Sequence, residues 1–230
     1  MEPFDQERFY DFILDNNVIG FFPEKRLLAS GRKSHWYANW RTVGEDPYLI
    51  DQLSDFVLAF AQPHCPLVHT FYGVPEGATK LALITQFKHA QRSIAYRPGL
   101  HALAMGRGNP KPHGDPKDRF FLGVPKGLTV VIEDVTMTGD SLMRAMVGLE
   151  GAGVNLIGAI TLLNRMERRD DGMSVQQALE QLHGGLGLFS MSVAHHILPR
   201  AYERLKPERW IADAIEQEFE HSGMAPIKLG

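Results

Sequence analysis

The chain has a single cysteine, Cys65, among 230 residues, so no intrachain disulfide can form and a reducing compartment is expected. A buried, small apolar residue is the expected role for that thiol. No stretch approaches the roughly 18 apolar residues that a membrane-crossing helix needs. The opening MEPFDQERFYDF has neither the basic start nor the apolar core of a secretory signal, which makes the cytoplasm the expected location. Positive charge is not in excess either: Lys and Arg total 24 against 27 Asp and Glu, a net charge of −3. That balance argues against a general nucleic-acid binder, so any anion must be held by a local arrangement. Internal repeats, heptads and low-complexity tracts are missing. So are a G-x-S-x-G nucleophile elbow and a glycine-rich loop ending in a Walker-type lysine. Gly106-x-Gly108 does not belong to a strand-to-helix turn, which excludes a dinucleotide fingerprint. Ten histidines are present, but the adjacent His195 and His196 lack the helical spacing of a zinc pair.

What the chain does have is an ordinary globular composition, 44% hydrophobic and 22% charged, with enough length to bury a core without staples. Phe4–Asn17 carries Phe9, Phe12 and Ile13 on one side, predicting an amphipathic first helix. Gly20–Thr42 is aromatic, basic and irregular, or a hairpin. Pro47–Ala61 has helical periodicity and is bounded by Pro63 and Pro66. Leu67–Tyr72 is a short β-rich run, Gly77–Gln91 a helix, and His101–Met105 a further candidate strand. Leu128–Ile132 is an unbroken apolar run typical of a strand buried on both faces. Helix Asp140–Glu150, strand Val154–Asn164, helix Ser174–Leu182, a last strand in Gly187–Val193 and a helical Pro199–Phe219 follow. Strands alternating with helices in this way predict an α/β fold with a parallel sheet. Gly106–Arg119, with three Pro, three Gly and no period, is a loop of a length usually reserved for function.

Gly127–Ser141 carries the most chemistry. A buried strand runs into two acids, Glu133 and Asp134, then a small-residue turn, then a helix start near Ser141. Ligands in open α/β sheets sit beyond the carboxyl ends of strands. A tight turn entering a helix directs several backbone N–H groups at one point, with the helix dipole behind them, and so holds a phosphate without a lysine. Side chains alternate along a strand, so at least one acid faces the ligand, where it can accept from vicinal sugar hydroxyls or hold Mg²⁺ through water. Alone, the acid pair reads as a strand end followed by a helix cap. The complete string reads as a ribose-5-phosphate site.

The run Ile132–Ser141, IEDVTMTGDS, resembles the phosphoribosyl diphosphate (PRPP) motif of type I phosphoribosyltransferases. The resemblance implies that Glu133 and Asp134 bind the ribose hydroxyls, while Val135, Thr136, Met137, Thr138, Gly139, Asp140 and Ser141 grip the 5-phosphate. Met137 stands where threonine is usual and Asp140 where a small or hydroxyl residue is common. An acid there is tolerable only if its side chain points away from the phosphate.

Met105–Gly114, MGRGNPKPHG, resembles the catalytic loop of orotate phosphoribosyltransferases through Arg107, Lys111, His113 and Gly114, with Gly108 at a family lysine. On composition alone it is either a lid that neutralises a leaving diphosphate or a solvated loop. In that family it completes the neighbouring subunit's site, which implies a homodimer sharing loop 105–119. Leu28–Asn39 resembles the element that covers the base. Ser30, Gly31, Arg32, Ser34, Tyr37 and Asn39 fit, while Ala29 and Ala38 replace a lysine and an aromatic. Its rings stack on a base or simply pack. Arg165 stands where the family pairs an arginine with the orotate carboxylate, although the Arg-rich run around it also suits a solvated surface. Tyr72–Ala82 resembles the turn that contacts the diphosphate, with Gly77 or Glu76 nearest the missing mid-turn lysine.

The resemblance implies the type I phosphoribosyltransferase fold, a central mainly parallel sheet flanked by helices. Residues 1–45 would form a first helix and base-covering hood, and residues 46–230 the core with C-terminal helices. The implied enzyme is a glycosyltransferase of pyrimidine biosynthesis, moving phosphoribosyl from PRPP to orotate with Mg²⁺ held through PRPP and water and no direct protein ligands. Arg107, Lys111, His113 and Asp134 would be its catalytic residues, and Tyr37, Met137 and Arg165 its base contacts. Neither nucleic acid nor membrane is an expected partner. Transfer to another nucleobase, motivated by the departures at Ala29 and Ala38, and PRPP binding by a non-catalytic regulator, motivated by the lost lysines, are the alternatives.

Overall fold

The computed structural model describes residues 2–108, 112–113 and 121–230. At its centre a four-stranded sheet has the order β3(Thr70–Gly73), β6(Leu128–Thr136), β7(Asn155–Asn164), β8(Leu188–Ser190), and all three pairings are parallel. Pleating sends successive β6 side chains to opposite faces. Val130 and Ile132 join Phe71, Ile160 and Leu162 in the larger core, whereas Val131 faces a second core with Tyr72 and Ala159. Each face must then be covered, which is why β6 reads as continuously apolar.

Helices α1(Gln6–Asp15), α3(Pro47–His64), α4(Thr79–Gln91), α7(Ala194–Leu205) and α8(Arg209–Ser222) supply the larger core. Helices α5(Asp140–Gly151) and α6(Val175–Leu182) cover the other face. Among the described residues, no helix is long and apolar enough to cross a membrane. Asp5 caps α1 by accepting from the amides of Glu7 and Arg8, and Ser174 and Gln177 form a reciprocal capping box on α6. Cys65, the C-cap of α3, is buried, and that burial pushes its thiol up to about 11, as suits an inert core residue.

Gly20–Thr42 resolves into an antiparallel hairpin, β1(Ile19–Leu27) with β2(Lys33–Ala38), followed by the short α2(Arg41–Glu45). Trp36 and Ala38 anchor this hairpin in the larger core, and Trp36 stacks on Phe219 of α8 at 6.5 Å.

Three sequence expectations need correction. β6 does not end at the acid pair but continues to Thr136, because the long β7 still offers partners there, Val135 facing Leu163 and Thr136 facing Asn164. His101–Met105 is not a strand: only Met105–Gly106 (β4) pairs, with Phe121–Leu122 (β5), and an apolar run without a neighbour has no ladder to join. Pro199–Phe219 is two helices. The residue before a proline is disfavoured in the helical region, and Lys206, preceding Pro207, adopts a left-handed φ of 46° and ends α7.

Candidate active site

The cleft opens at the carboxyl ends of β3, β6 and β7. One cavity, about 320 Å³, is lined by Glu133 to Ser141 on one side and by Leu28, Ala29, Ser30, Tyr37 and Ala38 of the hairpin on another. Pro75, Gly77, Arg144 and Arg165 complete the wall. That volume suits a small ligand. Thus Tyr37, Arg165 and the whole run Glu133, Asp134, Val135, Thr136, Met137, Thr138, Gly139, Asp140 and Ser141 meet in one place. Arg107 and His113 do not line this cavity; Arg107 is half-buried and His113 exposed. Lys111 and Gly114 fall outside the described residues.

The turn after β6 owes its shape to Gly139, whose φ of 74° lies in the left-handed region open to glycine. Gly139 is the N-cap of α5, and Asp140 begins the helix. Amides in the first turn of a helix have no intrahelical acceptor, so this corner presents donors to the cavity. The Asp140 carboxylate is turned onto its neighbours instead: Oδ2 accepts from the Thr138 hydroxyl at 2.8 Å and Oδ1 pairs with Arg169 at 3.1 Å.

Both acids line the cavity, one more than alternation along a strand required. Asp134 Oδ1 accepts from the Val135 amide at 2.9 Å. Glu133 is 8% exposed, and its Oε2, like the Thr136 hydroxyl, is buried without a hydrogen-bond partner among the described residues. Unsatisfied polar atoms are rare in native interiors and point to a ligand that completes them. Burial, reinforced by the Asp134 carboxylate beside it, holds the Glu133 carboxyl well above the usual carboxylate range, and burial raises Asp134 as well.

At the hairpin end, Arg165 is 3% exposed and fully engaged with protein. Its guanidinium lies 3.7 Å above the Trp36 ring, pairs with Glu167 at 2.7 Å and donates to Ser34 Oγ at 3.2 Å. It presents to the cavity as a rigid edge rather than a free cation. Ser30 Oγ reaches Met137 Sδ at 3.4 Å, closing the hairpin against the turn.

A second chamber of about 420 Å³ shares Tyr37, Ala38, Gly77 and Asp134 with the first and continues past Arg41, Glu45, Glu76 and Lys80. Arg41, Arg144 and Arg169 were missed in the sequence. A signal existed only for Arg144, one helical turn beyond Ser141, to whose hydroxyl it donates at 3.4 Å. For a divalent cation, the described residues include no cluster of three or more metal-ligating side chains. Two carboxylates at the mouth, one with an unpartnered oxygen, fit a hydrated Mg²⁺ whose other ligands come from a phosphorylated substrate.

No family model matches the chain. Among curated proteins, the orotate phosphoribosyltransferase of Bradyrhizobium diazoefficiens is 31% identical over 152 residues, covering 63% of this chain and 75% of that one. The orotate phosphoribosyltransferase of Methanosphaera stadtmanae is 26% identical over 162 residues, 70% of this chain and 83% of its own. Among solved structures, the Francisella tularensis orotate phosphoribosyltransferase superposes with a TM-score of 0.64 at 18% identity, over 94% of this chain and 99% of that one. The fold is therefore the type I phosphoribosyltransferase fold expected from the sequence. With sequence identity and backbone agreeing over most of its length, the chain belongs to the orotate phosphoribosyltransferase family.

Proposed function

We propose that the protein transfers phosphoribosyl from PRPP to orotate, giving orotidine 5′-phosphate and diphosphate. The observation that carries this reading is the left-handed Gly139 corner opening beside the buried Glu133 and the half-buried Asp134 near the end of β6. In this assignment the turn Val135–Ser141 binds the 5-phosphate, and Glu133 and Asp134 accept from the ribose hydroxyls, using the oxygen that otherwise has no partner. The base lies between Tyr37, Met137 and Arg165, all lining the same cavity. The diphosphate extends into the adjoining chamber toward Arg41 and Lys80.

That chamber also contains Glu45, Glu76 and Asp134, so its acids outnumber its two cations, and an unaccompanied diphosphate would be repelled. The imbalance supports a Mg²⁺ requirement, with Asp134 and Glu133 as its water-mediated contacts. Mg²⁺ would offset charge on the diphosphate. The C1–O bond to diphosphate breaks with its electron pair leaving on oxygen, a ring nitrogen of orotate closes on C1, and the proton of that nitrogen is given up to the departing diphosphate or to water. The protein's own contribution is placement and electrostatics: the turn and acids fix the ribose, and the hairpin fixes the base.

Arg107, Lys111 and His113 are assigned to the leaving diphosphate of a neighbouring subunit in a homodimer sharing loop 105–119. A run of exposed apolar side chains supports a subunit contact, with Phe87 at 46%, Ile94 at 107%, Tyr96 at 54% and Leu103 at 55% exposure. A hood formed by residues 1–45 over a core of residues 46–230 is part of the same reading, as is a cytoplasmic location, which the lone buried thiol suits.

A second reading, transfer to a different nucleobase, draws on the ion pair between Arg165 and Glu167, which offsets the charge that an orotate carboxylate seeks. Incubating the protein with Mg²⁺, PRPP and orotate, and following orotate absorbance, tests the first reading. Unchanged orotate with folded protein rejects it. Diphosphate release with another base then selects the second, and PRPP binding without turnover on any base marks a regulator.

A further inference from the structure

Asp140 raises a problem that the phosphate reading leaves open. As the first residue of α5 it occupies the spot where a helix end attracts anions, and its own carboxylate is well placed to compete for the amides or to repel the ligand. The turn answers through Arg169, a residue 29 positions away on the segment after β7. Arg169 Nη1 meets Asp140 Oδ1 at 3.1 Å and also donates to the Thr138 carbonyl. The same guanidinium is braced from behind, Nε donating to Asp171 Oδ2 at 3.1 Å, and its main-chain amide donates to the Met173 carbonyl at 3.0 Å. The Thr138 hydroxyl holds the other Asp140 oxygen. Both oxygens of the acid are thereby engaged on side chains. The arginine is only 17% exposed, so its position is set by the protein.

We infer that Arg169 is a positioning residue for the phosphate turn: it holds the Asp140 carboxylate and the Thr138 carbonyl together, keeping the acid off the amides that receive the 5-phosphate. The inference rests on the phosphoribosyl reading of that turn. Arg169 itself need not touch the substrate. Its fork spans a carboxylate and a carbonyl at once, which a lysine cannot reproduce.

The test is a pair of substitutions read by PRPP titration calorimetry and by the KM for PRPP. Arg169→Met releases Asp140 and is expected to weaken PRPP by roughly threefold to tenfold, the size of one like-charge contact partly screened by solvent, since the Asp140 side chain is 54% exposed. The loss should fall on KM more than on kcat. Adding Asp140→Asn to it removes the competing charge and restores most of the affinity. A merely structural arginine predicts the reverse, with no recovery in the double variant. Should Arg169→Met fail to fold, Arg169→Lys is expected to show an intermediate loss, again recovered by Asp140→Asn. Unchanged PRPP affinity in the Arg169 variant, or no recovery in the double variant, overturns the inference while leaving the site's assignment intact. Wild-type protein that binds neither PRPP nor ribose 5-phosphate overturns both.

Discussion

The Asp134 carboxylate and Gly77 are in direct apposition across the mouth of the cleft: a methyl group on Gly77 would come within 2.4 Å of Asp134 Oδ2. The turn after β3 is thereby seated against the acid two residues before the end of β6, and only glycine allows the approach. Gly77→Ala must displace either the turn or the carboxylate. The expected result is a fall in kcat/KM for PRPP of about tenfold or more, with a stability loss of about 1–3 kcal/mol. Steady-state kinetics beside urea unfolding separates the two effects, and unchanged kinetics would show that the apposition is irrelevant to turnover.

Glu133 makes a prediction of opposite sign for stability and function. Its carboxyl is held above the unfolded value, so between the two the native state carries the proton that the unfolded chain has lost. This contribution is complete below the unfolded pKa, about 4.3, and is lost as pH rises through the folded pKa. Glu133→Gln keeps the shape without the charge. It should flatten the fall of unfolding free energy with rising pH and stabilise the protein near neutrality by about 1 kcal/mol, while weakening PRPP binding. Identical pH slopes in the two proteins would mean that Glu133 is already ionised.

Arg165 is tied to Glu167 inside the protein, so removing one partner strands a buried charge. Arg165→Met should cost about 3–5 kcal/mol, and Arg165→Met with Glu167→Leu should recover most of it. Orotate turnover should not return in the double variant. If it does, Arg165 serves the fold alone and the base is recognised elsewhere.

Ile94 is fully exposed on the apolar segment between α4 and β4. Ile94→Lys is expected to shift a dimer toward monomer in sedimentation velocity and to lower activity with it, because loop 105–119 would no longer meet a neighbouring site. A wild-type protein that sediments as a monomer contradicts the proposed dimer directly.

The core of the site was legible because its signals are local. An apolar run, two acids, a glycine and a helix start are consecutive from Leu128 to Asp140, and strand, turn and helix each depend on near neighbours. The helix break at Lys206 had a local signal too, Pro207, but the helical reading of Pro199–Phe219 ran across it. By contrast, of His101–Met105 only Met105 pairs; His101–Ala104 has strand-like residues but no strand partner among the described residues, and pairing is a property of the sheet rather than of the segment.

By itself, then, the amino-acid order determined the α/β class, the phosphate-turn motif and the acids beside it. Tertiary structure alone decided what surrounds them. Arg165 meets Ser34 across 131 residues, Arg169 meets Asp140 across 29, and Gly77 faces Asp134 from the turn after β3. Such contacts are chosen by how the hairpin and the loops pack over the sheet, and no periodicity along the chain encodes that packing.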